Sequence, residues 1–311
     1  MADVAPSNFA RFPTPGPDAE VLVSAPGSGP GHWAGASSAA ALDARTFLVA
    51  YRVRLPMTRG TSIRVVSWTI GDEPVAVASV TKEMFGAESL ERPALVRTAA
   101  GTWRLYVSCA TVGTKHWWIE SVDADDPSEL AQGKRRMVFP GDSAVGVKDP
   151  VILAGPGGWH AWVCCHPLDV PGQEDRMTTA LAVSPDGLTW HWRGTVLRPR
   201  PGTWDARGTR VTAVVPGLGA AYDGRTGAEQ NFAERTGLAA FRAGARMGDL
   251  GPAVADRADP LAEDLVAMGS GPVATARYLD VVSLSEGRYR LFYEAPLPDG
   301  SHELRTQEVR A

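Results

Sequence analysis

The amino-acid sequence predicts an all-β chain folded as a five-bladed β-propeller, on three observations. Short apolar runs alternate with a period of two, and helical periodicity is nearly absent. One plan recurs along the chain: an outer strand, a Gly/Pro loop, then the inner strand of the next unit. The strand count also leaves one strand missing at the C-terminus and one spare at the N-terminus. The last blade is therefore expected to be closed by the N-terminal strand, which removes two exposed edges.

Taken in order, Glu20–Ser24 reads as the spare outer strand, followed by a Gly/Pro loop, Trp33 and an inner strand from Ser37 to Leu42. Glu91–Val96 begins the second unit. Arg136–Pro140 is an outer strand leading to the third inner strand, Lys148–Leu153. Thr195–Pro199 leads through Trp204 and Asp205 to the fourth, Thr209–Val215, and Arg277–Val282 supplies the fifth. Each inner strand precedes a Gly or Asp turn and a second strand, four of them aromatic-rich: Arg45–Arg52, Thr102–Ser108, Trp159–Cys165 and Arg288–Glu294. Third strands follow at Ser62–Thr69, His116–Val122, Thr178–Ser184, Gly237–Arg242 and His302–Val309. The one helical candidate is Pro260–Met268. A β-sandwich or open solenoid is the alternative, but a sandwich does not explain the repeating order. The 33 glycines and 24 prolines form no linker, so residues 1–311 read as one domain.

Bulk properties narrow the function. A hydrophobic content of 44% suffices for a core, and a net charge of −4 argues against nucleic acid or an anionic membrane as partner. No stretch approaches a membrane span, and Met1–Pro17 lacks the pattern of a secretory signal. Cys109, Cys164 and Cys165 read as reduced core cysteines, which fits the cytoplasm. No Cys/His spacing resembles a metal site, and no cofactor is implied.

In a propeller the inner strands converge on the axis, so polar residues at their starts meet in one funnel. Charge stands at four of the five starts: Glu91 with Arg92, Lys148 with Asp149, Asp205 with Arg207 and Arg210, and Arg277. The first unit offers His32 and Trp33, then only Ser37 and Ser38. A second ring is expected from Arg52, His166, Asp223 and Arg225, with Glu234 and Arg235 in a following loop. Glycosyl transfer needs paired carboxylates, one protonated and one ionised, and Glu91, Asp149 and Asp205 come from three blades around one axis. They are the candidate catalytic residues. Trp33 and Trp204 offer faces for a sugar ring, and the basic residues offer forks for hydroxyls or carboxylates. Asp-Pro and Arg-Pro at strand starts are also ordinary turn chemistry, and His166 equally suits a core position.

Glu91-Arg92-Pro93 and Lys148-Asp149-Pro150, within a five-unit plan covering nearly the whole chain, resemble the five-bladed propeller glycoside hydrolases of families 43, 62, 32, 68 and 130. Tyr222-Asp223-Gly224-Arg225 followed by Glu234-Arg235-Thr236-Gly237 is similar to an actinobacterial branch of glycosidase-like proteins. The resemblance implies an enzyme that hydrolyses a small or terminal sugar by an inverting carboxylate mechanism. It places Asp149 at the orienting aspartate of family 43. The chain departs from that pattern in having Ser37 and Ser38 where a first-blade aspartate would act as base. The departure leaves two alternatives: a non-catalytic carbohydrate-binding propeller, or a lyase or cyclase using the same funnel. Ser184-Pro-Asp186-Gly187-Leu-Thr-Trp190 is similar to the Asp-box turn of sialidases with one residue fewer, and reads as a structural turn.

Overall fold

The computed structural model of the protein describes residues 11–155, 157–241, 265–269, 271–285 and 287–311. It is nearly all β. The strands fall into three four-stranded antiparallel sheets and one eight-stranded sheet, itself made of two four-stranded antiparallel groups. In chain order, the first four-stranded unit comprises β2 (Trp33–Ala41), β3 (Thr46–Leu55), β4 (Arg59–Thr69) and β5 (Val75–Thr81). The second comprises β6 (Leu90–Arg97), β7 (Trp103–Ala110), β8 (Trp117–Ala124) and β9 (Lys134–Phe139). The third is β10 (Val145–Gly155), β11 (Gly158–Pro167), β12 (Thr178–Ser184) and β13 (His191–Leu197). The fourth is β14 (Gly208–Val215), β15 (Gly219–Arg225), β16 (Arg235–Phe241) and β17 (Leu265–Met268). The last three strands are β18 (Arg277–Ser283), β19 (Arg288–Pro296) and β20 (His302–Arg310). Their fourth partner is β1 (Glu20–Val23), which pairs antiparallel with β20. This group joins the first sheet through a single parallel pair, Trp33 with His302.

The inner strands of each sheet are covered on both faces, which is why they carry continuous apolar runs, while the outer strands β5, β9 and β13 are largely exposed. Strand β3 shows the arithmetic of a two-residue period. Phe47, Val49, Tyr51 and Val53 pack with Phe292 and Leu304 of the last group, whereas Leu48 and Ala50 pack with Leu90, Leu95 and Leu105 of the second sheet. Three further clusters fill the remaining gaps. Tyr106 and Phe139 meet Val147 and Val163 between the second and third sheets. Trp162 and Leu197 meet Trp204 and Tyr222 between the third and fourth. Ala213 and Leu238 meet Leu279 and Leu291 between the fourth and the last. The first strands of the sheets touch in the order β2, β6, β10, β14, β18 and back to β2.

One expectation is corrected. Of the helical candidate Pro260–Met268, residues Leu265–Met268 form strand β17, paired with β16 from Leu238 to Phe241; residues 260–264 lie outside the described residues. Sheet pairing outweighed the weak local propensity of a short segment. The Ser184–Trp190 segment is a turn between β12 and β13. Asp186 Oδ1 accepts from the amides of Leu188 (2.8 Å) and Thr189 (2.9 Å), and Trp190 packs 5.2 Å from Phe139. All three cysteines are free thiols; burial raises Cys164 to about 12 and Cys165 to about 11.

Candidate functional site

The first strand of every sheet carries the same irregularity. Register slips after Gly35, Glu91, Lys148, Val211 and Arg277, each a bulge that bends the strand and re-aims its side chains. Three non-glycine residues in these bulges, Ala36, Asp149 and Tyr278, adopt left-handed φ near +51°. Immediately before each slip the register pairs Gly35 with Arg52, Glu91 with Ser108, Lys148 with Cys164, and Arg277 with Glu294; Arg210 pairs with Asp223 just ahead of the fourth. One position per sheet is thereby presented toward the same centre, occupied by Gly, Glu, Lys, Arg and Arg.

These residues form one buried ionic network. Arg52 donates to Glu91 and, at 2.7 Å, to Glu294. Glu294 also accepts from Arg277 and lies 2.6 Å from His302 Nδ1. Arg277 Nε donates to Glu234 (2.7 Å), which also accepts from Arg225 (2.9 Å). Arg210 donates to Asp149 (3.0 Å), to the Tyr278 hydroxyl (2.8 Å) and to Asp223 (2.6 Å). Burial pushes the Glu91 carboxyl up, but Arg52, Lys148 and Arg54 outweigh it and hold it well below the ordinary range. Burial likewise opposes ionisation of Glu234 and Glu294, yet the surrounding arginines bring each down to about 2. Asp223 goes the other way: burial raises it despite Arg210, and its Oδ1 has no hydrogen-bond partner.

A cavity of about 360 Å³ opens above this network. Its acidic lining is Glu91, Glu174, Asp175 and Glu234. Its basic lining is Arg52, Arg54, Arg59 and Lys115 on one side of the chain order, then Lys148, Arg210, Arg225 and Arg277. Trp33, Trp117, Phe232 and Tyr278 supply aromatic surface. Trp33 and Phe232 lie 5.0 Å apart, and the Arg54 guanidinium sits over both rings. His166 also lines the cavity; burial, then Lys148, Arg225 and Arg210, depress its pKa well below the usual value, which favours the neutral imidazole. Its buried Nε2 has no partner, and neither have the Nε–H groups of Arg52, Arg54, Arg210 and Arg225.

Of the residues nominated from sequence, Trp33, Arg52, Glu91, Lys148, His166, Arg210, Arg225, Glu234 and Arg277 line this cavity. Asp149 and Asp223 lie directly behind it, bonded to Arg210. Arg92 is buried deeper, donating to the Ser37 carbonyl and facing Asp280 at 3.5 Å. Five nominations, Asp205, Trp204, Arg235, Arg207 and His32, fall elsewhere. Asp205 is fully buried in a structural knot, accepting from Arg200 (2.9 and 3.1 Å), Thr203 and the Tyr222 hydroxyl (2.7 Å). Trp204 stacks on Tyr222 in the core at 5.7 Å, and Arg235 lies over its ring. Arg207 is engaged bidentately by Asp175. His32 folds back toward the Gly29 carbonyl (3.3 Å). The loop before β14 carries Asp205 into the core, so Arg210, further into the strand, reaches the cavity in its place.

Arg54, Tyr278, Phe232 and Glu294 were missed. Arg54 was legible, since it stands two residues from Arg52 on one strand and so on the same face. Glu294 needed the register of β18 against β19. A Cβ on Gly35 would stand 2.5 Å from Glu294 Cβ, Cγ and Oε2. The absent first-unit side chain therefore leaves the room that the Glu294 carboxylate fills.

Among the described residues no group of three or more His, Cys, Asp or Glu is placed to hold a metal ion, and no helix is long and apolar enough to cross a membrane. No protein-family model matches the chain, and no curated protein matches it by sequence. Solved structures do match it in fold. A thermostable family-43 glycoside hydrolase aligns over 89% of each chain with a TM-score of 0.63 at 12% identity. An α-L-arabinofuranosidase from Lactobacillus brevis aligns over 88% of this chain and 89% of its own, with a TM-score of 0.61 at 13% identity. A β-1,2-mannobiose phosphorylase from Listeria innocua aligns over 97% and 94%, with a TM-score of 0.59 at 12% identity. Nothing among these matches supports an actinobacterial branch. The chain has the fold of the glycoside hydrolases and phosphorylases of the propeller group that its strand-start motifs resemble.

Proposed function

We propose that the chain is a single five-bladed β-propeller, closed by β1, that binds a glycoside in its axial cavity and hydrolyses it there. The five inter-sheet clusters and the cyclic contact order of the first strands support the blade count and closure. One observation carries the function: the cavity above the bulged strand starts is lined by two ionised glutamates, Glu91 and Glu234, and by aromatic faces. An ionised carboxylate is the form needed for a base, or for stabilising an oxocarbenium-like transition state. Asp149, bridged to Arg210 and accepting from the Arg92 amide (3.2 Å), positions the Glu91–Arg92 strand start. Under the cavity, burial pushes Asp223, like Asp280 beside Arg92, toward the protonated form an acid requires.

A second reading, a carbohydrate-binding propeller without turnover, is favoured by Gly35, which leaves the bulge position of the first sheet without a carboxylate, and by the placement of Asp223 behind Arg210. An aryl-glycoside panel separates the two. Hydrolysis by the wild type, reduced at least ~100-fold by Glu91→Gln and by Asp149→Asn, supports the enzyme. Binding without turnover supports the second reading. Hydrolysis unaffected by both substitutions removes this site from the reaction.

A further inference from the structure

We propose that the ligand of this cavity carries an anionic oxyacid group, a carboxylate or phosphoryl group, as part of the glycoside, held between Arg54 and Lys148. The inference rests on the sugar reading above and adds the charge class of the sugar.

The lining holds twice as many basic as acidic side chains, in a chain whose net charge is −4, so the excess is local to the cavity. The carboxylates beneath, Glu294, Asp149 and Asp223, are bonded to Arg52, Arg277 and Arg210, and Arg54 and Lys148 have none to themselves. Arg54 Nη1 reaches Glu91 only at 3.5 Å, and the other oxygen of that carboxylate is taken by Arg52. Lys148 Nζ lies 3.4 Å from Asp149 Oδ2, an oxygen already accepting from Arg210 at 3.0 Å, while Oδ1 accepts from Arg92 N. Both cations thus share carboxylates that are already claimed. Both are also largely buried, with side-chain exposures of 13% and 11%, so water screens them poorly.

Buried cations with shared counter-charges, beside arginine Nε–H donors that have no acceptor, are stabilised by an incoming anion. The aromatic surroundings point to an anion attached to a ring. Arg54 lies 4.8 Å from the Trp33 centroid and 5.5 Å from that of Phe232, and Lys148 Nζ lies 4.9 Å from the Trp117 centroid. Trp33 and Trp117 are buried, but the Phe232 ring beside Arg54 is exposed and offers a surface on which the apolar face of a pyranose can rest.

The test is isothermal titration calorimetry with methyl glycosides of glucuronic, galacturonic and mannuronic acid, their neutral parent hexosides, the corresponding 6-phosphates, and inorganic phosphate. At least one acidic glycoside should bind about 10-fold or more tighter than its neutral parent. That preference should shrink in 0.5 M NaCl and in Arg54→Met and Lys148→Met, with circular dichroism confirming that both variants fold. A preference for the uronides assigns a carboxylate, and one for the 6-phosphates assigns a phosphoryl group. Equal or tighter binding of the neutral hexosides overturns the proposal and leaves the glycoside reading standing. Binding of inorganic phosphate alone, or of nothing at about 10 mM, overturns both. The wild-type comparison decides the matter even if a variant fails to fold.

Discussion

Gly35→Ala probes the steric relation on which the site is built. Gly35 is not in the left-handed region, so alanine is compatible with its backbone, and in open space the exchange would gain roughly 0.4–1 kcal/mol by restricting the unfolded chain. Here the new Cβ would stand 2.5 Å from three atoms of Glu294, where ordinary contact begins at 3.4 Å. Glu294 must move by about 1 Å, and it is fully buried and bound by Arg52, Arg277 and His302. Overpacking of this kind costs roughly 1–3 kcal/mol, and loosening a buried charge from its partners adds a comparable amount. The expected net loss is about 2–4 kcal/mol, a fall in Tm of roughly 4–8 °C for a domain of this size. The matched control is Gly155→Ala in β10, where a Cβ meets nothing within 4 Å. Both are measured by differential scanning calorimetry at pH 7. A Gly35→Ala protein that melts within about 1 °C of the Gly155→Ala control would refute the reasoning.

Two other expectations concern the charges. Because Glu234 and Glu294 have folded pKa values near 2, below the ordinary 4.5, the unfolded chain binds more protons as pH falls. Their stabilisation is fully present above about pH 5 and is lost progressively toward pH 2; carbon-13 NMR of the glutamate carboxyls should find both still ionised at about pH 3.5 in folded protein, and titration of every glutamate near 4.5 would contradict it. Asp205→Ala removes the acceptor of Arg200 and Tyr222 and should cost about 2–3 kcal/mol in urea unfolding, while ligand affinity of the folded protein stays within about twofold; a large affinity loss at unchanged stability would return Asp205 to the site.

Much of this was legible in sequence because it is local. A continuous apolar run such as Phe47-Leu48-Val49-Ala50 reads as a strand buried on both faces, and the repeating strand–loop–strand order reads as a chain of antiparallel sheet units. Glu91-Arg92 and Lys148-Asp149 could be placed at a shared centre for the same reason: strand starts that repeat in sequence repeat in space. What sequence could not supply was aim. Asp205 and Arg210 lie five residues apart, and only the path of the loop before β14 decides that Arg210 lines the cavity while Asp205 points into the core. Nor does anything near Gly35 in sequence announce that its missing side chain is replaced by Glu294, brought from the far end of the chain where β18 and β19 pack against β2. Backbone pattern is set by neighbours along the chain; the composition of a buried ionic network is set by which side chains the packed sheets bring within a few ångströms.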